Sequence, residues 1–207
     1  MATRRLTVIT ENAIINSRHT LILNHQKFLL PVNFINEYPR KDVLKMSYRR
    51  FMRLKPFISQ RLMVRNTYTE YLRYKYKREN YLEKRMATGI ATGDLQSCDL
   101  KQVVNSLRFV LKAVTHHELS TTKKPGHHHE NDICRRILKN ILTMEYEKQR
   151  LIHKDPAIYY QLFRKTYEYL QPFKNGDKVN PIFLKLFSIR EFDRCLVCLN
   201  ETLDTRL

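Results

Sequence analysis

Apolar residues recur along most of this chain at helical spacing. Leu44, Tyr48, Phe51 and Lys55, the last through its stem, share one stripe of a helix over residues 43–55, with Asp42 as cap and Pro56 as stop. Ser59 caps a long second helix to about Arg85. Val64, Tyr68, Tyr71, Leu72 and Tyr76 line one of its faces, and Arg61, Arg65, Arg73, Lys77 and Lys84 the other. The clearest pattern follows. Asp99 is a cap with Gln102 three residues on, and Leu100, Val103, Val104, Leu107, Val110, Leu111 and Val114 keep the period. A fourth helix carries Ile133, Ile137, Leu138, Ile141, Met144 and Lys148. Asp155-Pro156 and Asn180-Pro181 are start signals for further helices, the first continued by Tyr159, Leu162, Phe163, Thr166 and Leu170. Ser188 and Glu191 form a capping box before Phe192, Leu196 and Leu199.

Residues 6–35 follow another rhythm. Thr, Ile, Val and Leu dominate there, interrupted by Asn16-Ser17 and Asn24-His25, which predicts short extended segments around a helical body. Residues 87–97 and 116–130 read as loops. The expectation is an all-α bundle of about six helices with an extended N-terminal arm and at most a small β hairpin. The 207 residues suit a single domain: an arm over 1–39, a basic helical pair over 40–86 and a helical body over 98–207. Only 4 residues are Gly, which argues against a turn-rich barrel or a Gly-looped nucleotide fold. Neither G-x-G-x-x-G nor G-x-x-x-x-G-K-[ST] occurs.

Charge sharpens the picture. Lys and Arg number 38 against 20 acids, a net +18, and a compact protein carrying that surplus suits an anionic partner. The segment Arg40–Arg85 holds 15 bases against Asp42, Glu70, Glu79 and Glu83, an excess of 15 − 4 = +11. Tyr68, Tyr71, Tyr74, Tyr76 and Tyr81 are interleaved with these bases. Such tyrosines either stack on unpaired bases of a nucleic acid or face the core behind a solvated basic surface. Arg4 and Arg5 with Thr3, Thr7 and Thr10, and no acid before Glu11, are compatible with a mitochondrial targeting signal, although Val8, Ile9, Ile14 and Ile15 look extended. No apolar run approaches the roughly 18 residues of a membrane-spanning helix.

No residue emerges as catalytic. G-x-S-x-G, H-E-x-x-H and a distinctive carboxylate pair are all missing, so a hydrolase or nuclease has no supporting motif. Cys98, Cys134, Cys195 and Cys198 are sparse, which suits a reducing compartment. Cys195 and Cys198 form C-x-x-C without a second pair, inside an apolar helix pattern, so they are expected to be packed core thiols rather than zinc ligands. His127, His128 and His129 lie in a polar stretch with Lys123 and Lys124, whose charge opposes a bound cation. No metal or cofactor is expected.

Two resemblances meet in the basic segment. YRRFMRLKPFIS from Tyr48 to Ser59, YLRYKYKRENY from Tyr71 to Tyr81, CRRILKNILTMEYEK from Cys134 to Lys148 and LNETLDTRL from Leu199 to Leu207 resemble a budding-yeast family, increased recombination centers protein nineteen, also named required for respiratory growth protein four. That resemblance implies a role in mitochondrial DNA maintenance, genome integrity and sporulation, and brings no catalytic residue. Locally, VLKMSYRRFMR from Val43 to Arg53 is similar to the opening helix of the LYR-motif mitochondrial proteins, and YKREN from Tyr76 to Asn80 to the end of their second helix. Ser47 stands where their leucine would be. LYR proteins are helical bundles that bind the acidic mitochondrial acyl carrier protein and shelter its acyl chain between helices.

A non-enzymatic basic adaptor is therefore expected, with Tyr48, Arg49, Arg50, Phe51, Arg53, Arg73, Lys77 and Arg78 facing an acidic protein partner, for which the mitochondrial acyl carrier protein is the candidate. Arginine suits this role because its planar fork binds carboxylates bidentately. The alternative is a nucleic-acid-binding protein acting directly on mitochondrial DNA or RNA, in which the same cations track phosphates. The expected location is mitochondrial, with cytoplasm or nucleus as the alternative.

Overall fold

A computed structural model describes residues 8–15, 20–31, 33–87, 100–115, 127–154 and 181–207. Helices dominate. The N-terminal arm forms a three-stranded antiparallel sheet in the order β1 (Val8–Ile9), β2 (Ala13–Ile15), β3 (Thr20–Ile22), one strand more than a hairpin. Val8 pairs with Ile15, and Ala13 with Ile22. Thr10 fastens the first turn: its hydroxyl donates to the Ala13 carbonyl at 2.8 Å and accepts the Ala13 N–H at 3.0 Å. Ala13 and Ile22 are buried, so one face of this small sheet meets the body. A 3-10 turn, His25–Phe28, follows and sets Phe28 edge-on to Phe57, with ring centres 5.6 Å apart.

After α1 (Phe34–Glu37), α2 spans Arg40–Ile58. Pro39 precedes it, and Asp42 lies within the first turn, where its carboxylate favours the helix N-terminus without acting as cap. The helix also passes through Pro56. That residue lies in the last turn on an exposed position. The buried stripe is Val43, Ser47, Phe51 and Leu54, one step round from the expected Leu44, Tyr48 and Lys55, which are half-buried. Ser47 makes this rotation possible. Its hydroxyl donates to the Leu44 carbonyl at 2.8 Å and bonds the Tyr76 hydroxyl at 2.7 Å, so a polar residue enters the core fully paired.

The expected long helix over 59–85 is two helices, α3 (Leu62–Lys77) and α4 (Tyr81–Ala87). The N–H groups of Arg78 and Glu79 both turn back to the Tyr74 carbonyl, at 2.9 and 3.0 Å, and end α3. Ser59 does not cap α3; its hydroxyl accepts the Arg61 N–H in a local turn. Tyr68, Tyr71 and Leu72 face inward as expected, and the Tyr68 hydroxyl donates to the Phe51 carbonyl at 3.0 Å across the α2–α3 contact.

The helix α5 (Leu100–Val114) is the hub, packing on α2 and on α6 (His127–Lys154), while α3 also reaches α6. Val103, Leu107, Val110, Leu111 and Val114 are buried, each contributing about 1.5–3 kcal/mol. On α6 the buried apolar positions are Cys134, Leu138, Ile141 and Leu142; Ile133 is exposed, and His127–His129 begin the helix rather than occupy a loop. The last helix, α7 (Pro181–Leu203), runs unbroken through Ser188, so the expected capping box is absent; the Ser188 hydroxyl bonds the Leu184 carbonyl within the helix. Asp204, at φ 49°, closes α7, and the Thr205 N–H returns to the Asn200 carbonyl at 2.9 Å. The helix expected from Asp155-Pro156, the caps Asp99 and Asn180, and Cys98 lie outside the described residues.

Candidate functional site

The expected partner-binding residues divide by exposure. Arg49 and Arg53, one turn apart on α2, are exposed, as are Arg73 and Lys77, one turn apart on α3, and Arg78 just beyond it. Among the described residues Arg49, Arg53 and Lys77 have no acidic partner, whereas Arg73 pairs with Glu70 at 2.6 Å. Tyr48 is half-buried between the two helices, edge-on to Tyr76 with ring centres 5.2 Å apart. Phe51 and Arg50 depart from the expectation. Phe51 is a core residue, 6% exposed, and holds α2 against Tyr76 instead of meeting a partner. Arg50 is half-buried, and its Nε is enclosed without a hydrogen-bond partner among the described residues. Burial, and then repulsion from Arg53, hold its pKa below the ordinary value.

Of the interleaved tyrosines two face fully inward, and Tyr74, Tyr76 and Tyr81 are half-buried. Tyr68 and Tyr71 are buried, which removes them as stacking platforms for bases. Both phenols are held well above their ordinary pKa, chiefly by burial.

Two lysines of the basic segment are also internal. Lys75 Nζ lies 2.7 Å from Glu79 Oε2, and Lys84 Nζ lies 3.7 Å from Glu79 Oε1 and 3.2 Å from Asp193 Oδ1. Asp193 Oδ1 in turn accepts from Lys148 Nζ at 2.8 Å, and Lys148 stands 4.0 Å from Glu145. The result is an alternating chain of three ammoniums and three carboxylates, each side chain at most 13% exposed, that ties α3, α4, α6 and α7 together. Burial raises the Asp193 pKa, but Lys84 and Lys148 outweigh it and bring the carboxyl down to about 2. At Glu145 burial prevails and the pKa is raised. Lys84, expected on the outer face of a long helix, is thus a core ion. Taking Lys75, Lys84 and Glu79 out of the surface count leaves 13 − 3 = +10, so the outward basic excess of Arg40–Arg85 survives almost whole.

Sequence reasoning missed this network. Lys75 and Glu79 are spaced i, i+4, a detectable signal. Asp193 is more than a hundred residues from Lys84 and carries no such signal. The cysteine pair is also corrected: Cys195 and Cys198 are exposed on α7, and only Cys134 of the described thiols is buried.

Beside the network lies a partly open cavity of about 210 Å³ between α2, α3, α5 and α6. Leu44, Phe51, Leu72, Val110, Leu138 and Ile141 contribute apolar wall, and Lys75, Tyr81 and Arg206 stand at its polar end. The Arg206 guanidinium lies over the Tyr81 ring, 3.4 Å from its centre. The C-terminal residues are sewn in. Asn200 donates to the Leu207 backbone oxygen at 2.8 Å and accepts the Leu207 N–H at 2.7 Å, and Lys75 donates to the same oxygen at 2.9 Å.

Fold and site together define a cationic helical bundle, stapled internally by buried ions and presenting arginines on its second and third helices. A family model described as increased recombination centres protein 19 matches residues 8–207, and the chain belongs to that family. Proteins named increased recombination centers protein 19 are similar to it throughout. The one from Zygosaccharomyces rouxii is 43% identical, covering 97% of this chain and 98% of its own. Those from Vanderwaltozyma polyspora and Saccharomyces cerevisiae are 40% and 37% identical, covering 97% and 98% of this chain and 96% and 98% of their own. No solved structure matches.

Proposed function

We propose that this chain is a non-enzymatic factor in genome integrity that works as a basic adaptor, docking an acidic protein on the exposed faces of α2 and α3. The relatives' name, increased recombination centers, supports the genome-integrity part. Action in mitochondria, on mitochondrial DNA maintenance, with effects on respiratory growth and sporulation, is the finer form of the proposal. The mitochondrial acyl carrier protein is its candidate partner. The observation that carries the docking surface is the exposure of Arg49, Arg53 and Lys77 with no acidic partner among the described residues. Exposed cations add little to stability, so folding does not account for them.

The burial of Tyr68 and Tyr71 favours a protein partner over single-stranded nucleic acid, because base stacking on them is closed off. The test is Arg49→Glu with Arg53→Glu, leaving half-buried Arg50 intact. The double variant is expected to keep its helicity and melting temperature, to lose binding to purified acyl carrier protein and to lose support of mitochondrial DNA retention. Normal retention by the folded variant refutes the surface. Loss of nucleic-acid binding, with a steep salt dependence and no acyl carrier protein binding in the wild type, replaces the adaptor with the phosphate-tracking alternative.

A further inference from the structure

The cavity between α2, α3, α5 and α6 has a chemical imbalance independent of the docking surface. Tyr71, only 8% exposed, lines it and carries a hydroxyl with no hydrogen-bond partner among the described residues. Arg206 lines it too, with Nε and Nη1 enclosed and unpaired among the described residues. Both groups are gathered around Lys75, whose Nζ stands 5.7 Å from the Tyr71 ring centre and 6.0 Å from that of Tyr81, the ring that Arg206 covers. Three acceptors that line the cavity are already engaged. The Leu207 oxygen takes Lys75 and Asn200, the Ser106 hydroxyl accepts the Arg206 backbone N–H at 2.6 Å, and Glu79 faces Lys75 and Lys84. Buried donors without acceptors are costly, and they are rare unless something else supplies the acceptor.

We propose that this cavity is a binding site for a small monocarboxylate with an apolar body. The carboxylate accepts from Tyr71 Oη and the Arg206 guanidinium at the polar end, and the hydrocarbon lies along Leu72, Val110, Leu138 and Ile141. Size agrees. A dry cavity of ~150 Å³ takes benzene, so the 210 Å³ here admits a body of about eight carbons. Water alone suits the space poorly, because beyond the polar end the wall is mostly hydrocarbon. An anion is favoured over a neutral acceptor because hydrogen bonds to an ionised acceptor are roughly twice as strong.

The experiment is calorimetric titration of the purified full chain with sodium octanoate, with octan-1-ol as the neutral probe of equal length. Saturable one-to-one binding of octanoate is expected, about tenfold tighter than octan-1-ol. Tyr71→Phe and Arg206→Gln, each checked by circular dichroism and melting, are each expected to weaken octanoate by about tenfold while leaving octan-1-ol unchanged. Val110→Phe, which fills the cavity, is expected to abolish both. Octanoate binding no tighter than octan-1-ol, octanoate binding unaltered in the two polar variants, unsaturable binding, or none at all would each overturn the proposal. The arginine variant decides the matter if the tyrosine variant folds poorly.

Discussion

Asp193→Asn takes away the carboxylate shared by Lys84 and Lys148, at 3.2 and 2.8 Å from its Oδ1. Lys84 is then left with the longer approach to Glu79 at 3.7 Å, and Lys148 with Glu145 at 4.0 Å. In the wild type, burial acting alone would raise the Asp193 pKa, but the two ammoniums prevail and bring it from 3.8 to about 2. A carboxyl depressed on folding stabilises the native state above its unfolded pKa. That contribution is lost as pH falls from 3.8 through about 2. The difference is worth about 2 kcal/mol at neutral pH. The substitution costs more, about 3–5 kcal/mol, because two buried lysines lose their nearest counter-charge. Glu145 works in the opposite sense: burial raises its pKa, so its ionisation costs stability, and acidification relieves that cost. It is present in both proteins and largely cancels in the comparison. Urea unfolding followed by circular dichroism, from neutral pH stepwise into the acid range, measures the gap between wild type and variant. The gap is expected to be widest at neutral pH and to narrow as Asp193 takes up its proton. A variant within about 1 kcal/mol of wild type at neutral pH, or a gap that stays constant on acidification, refutes the reasoning.

Three further outcomes can be measured. Tyr71→Phe is expected to stabilise the unliganded protein by about 1 kcal/mol, because it removes a buried hydroxyl with no partner among the described residues; a lower urea midpoint would contradict this. Cys195→Ala with Cys198→Ala is expected to change stability by less than about 0.5 kcal/mol, since both side chains are exposed. In a Cys98→Ala background both thiols are expected to react with a thiol reagent in the folded protein. Cys134, buried and with its pKa pushed up by that burial, reacts only on unfolding.

The helices were legible in the chain because helical periodicity is a local property, carried by residues three and four apart. The apolar stripe of α5 was read almost residue for residue, and Tyr68, Tyr71 and Leu72 were correctly turned inward on α3. The basic excess of Arg40–Arg85 was likewise a matter of counting. Other features depended on what each face meets. Ser47 is polar by composition, yet it is the core position of its turn because Tyr76, from another helix, bonds its hydroxyl. Lys84 looked like a solvated cation, and it is buried because Asp193 and Glu79 converge on it. Cys195 and Cys198 sit in an apolar run, but α7 turns Leu196 and Val197 inward and leaves the thiols outside. In each case the partners lie beyond the reach of a helical turn. Pairing energies between groups distant in sequence leave no local pattern, so they become visible only once the helices are packed.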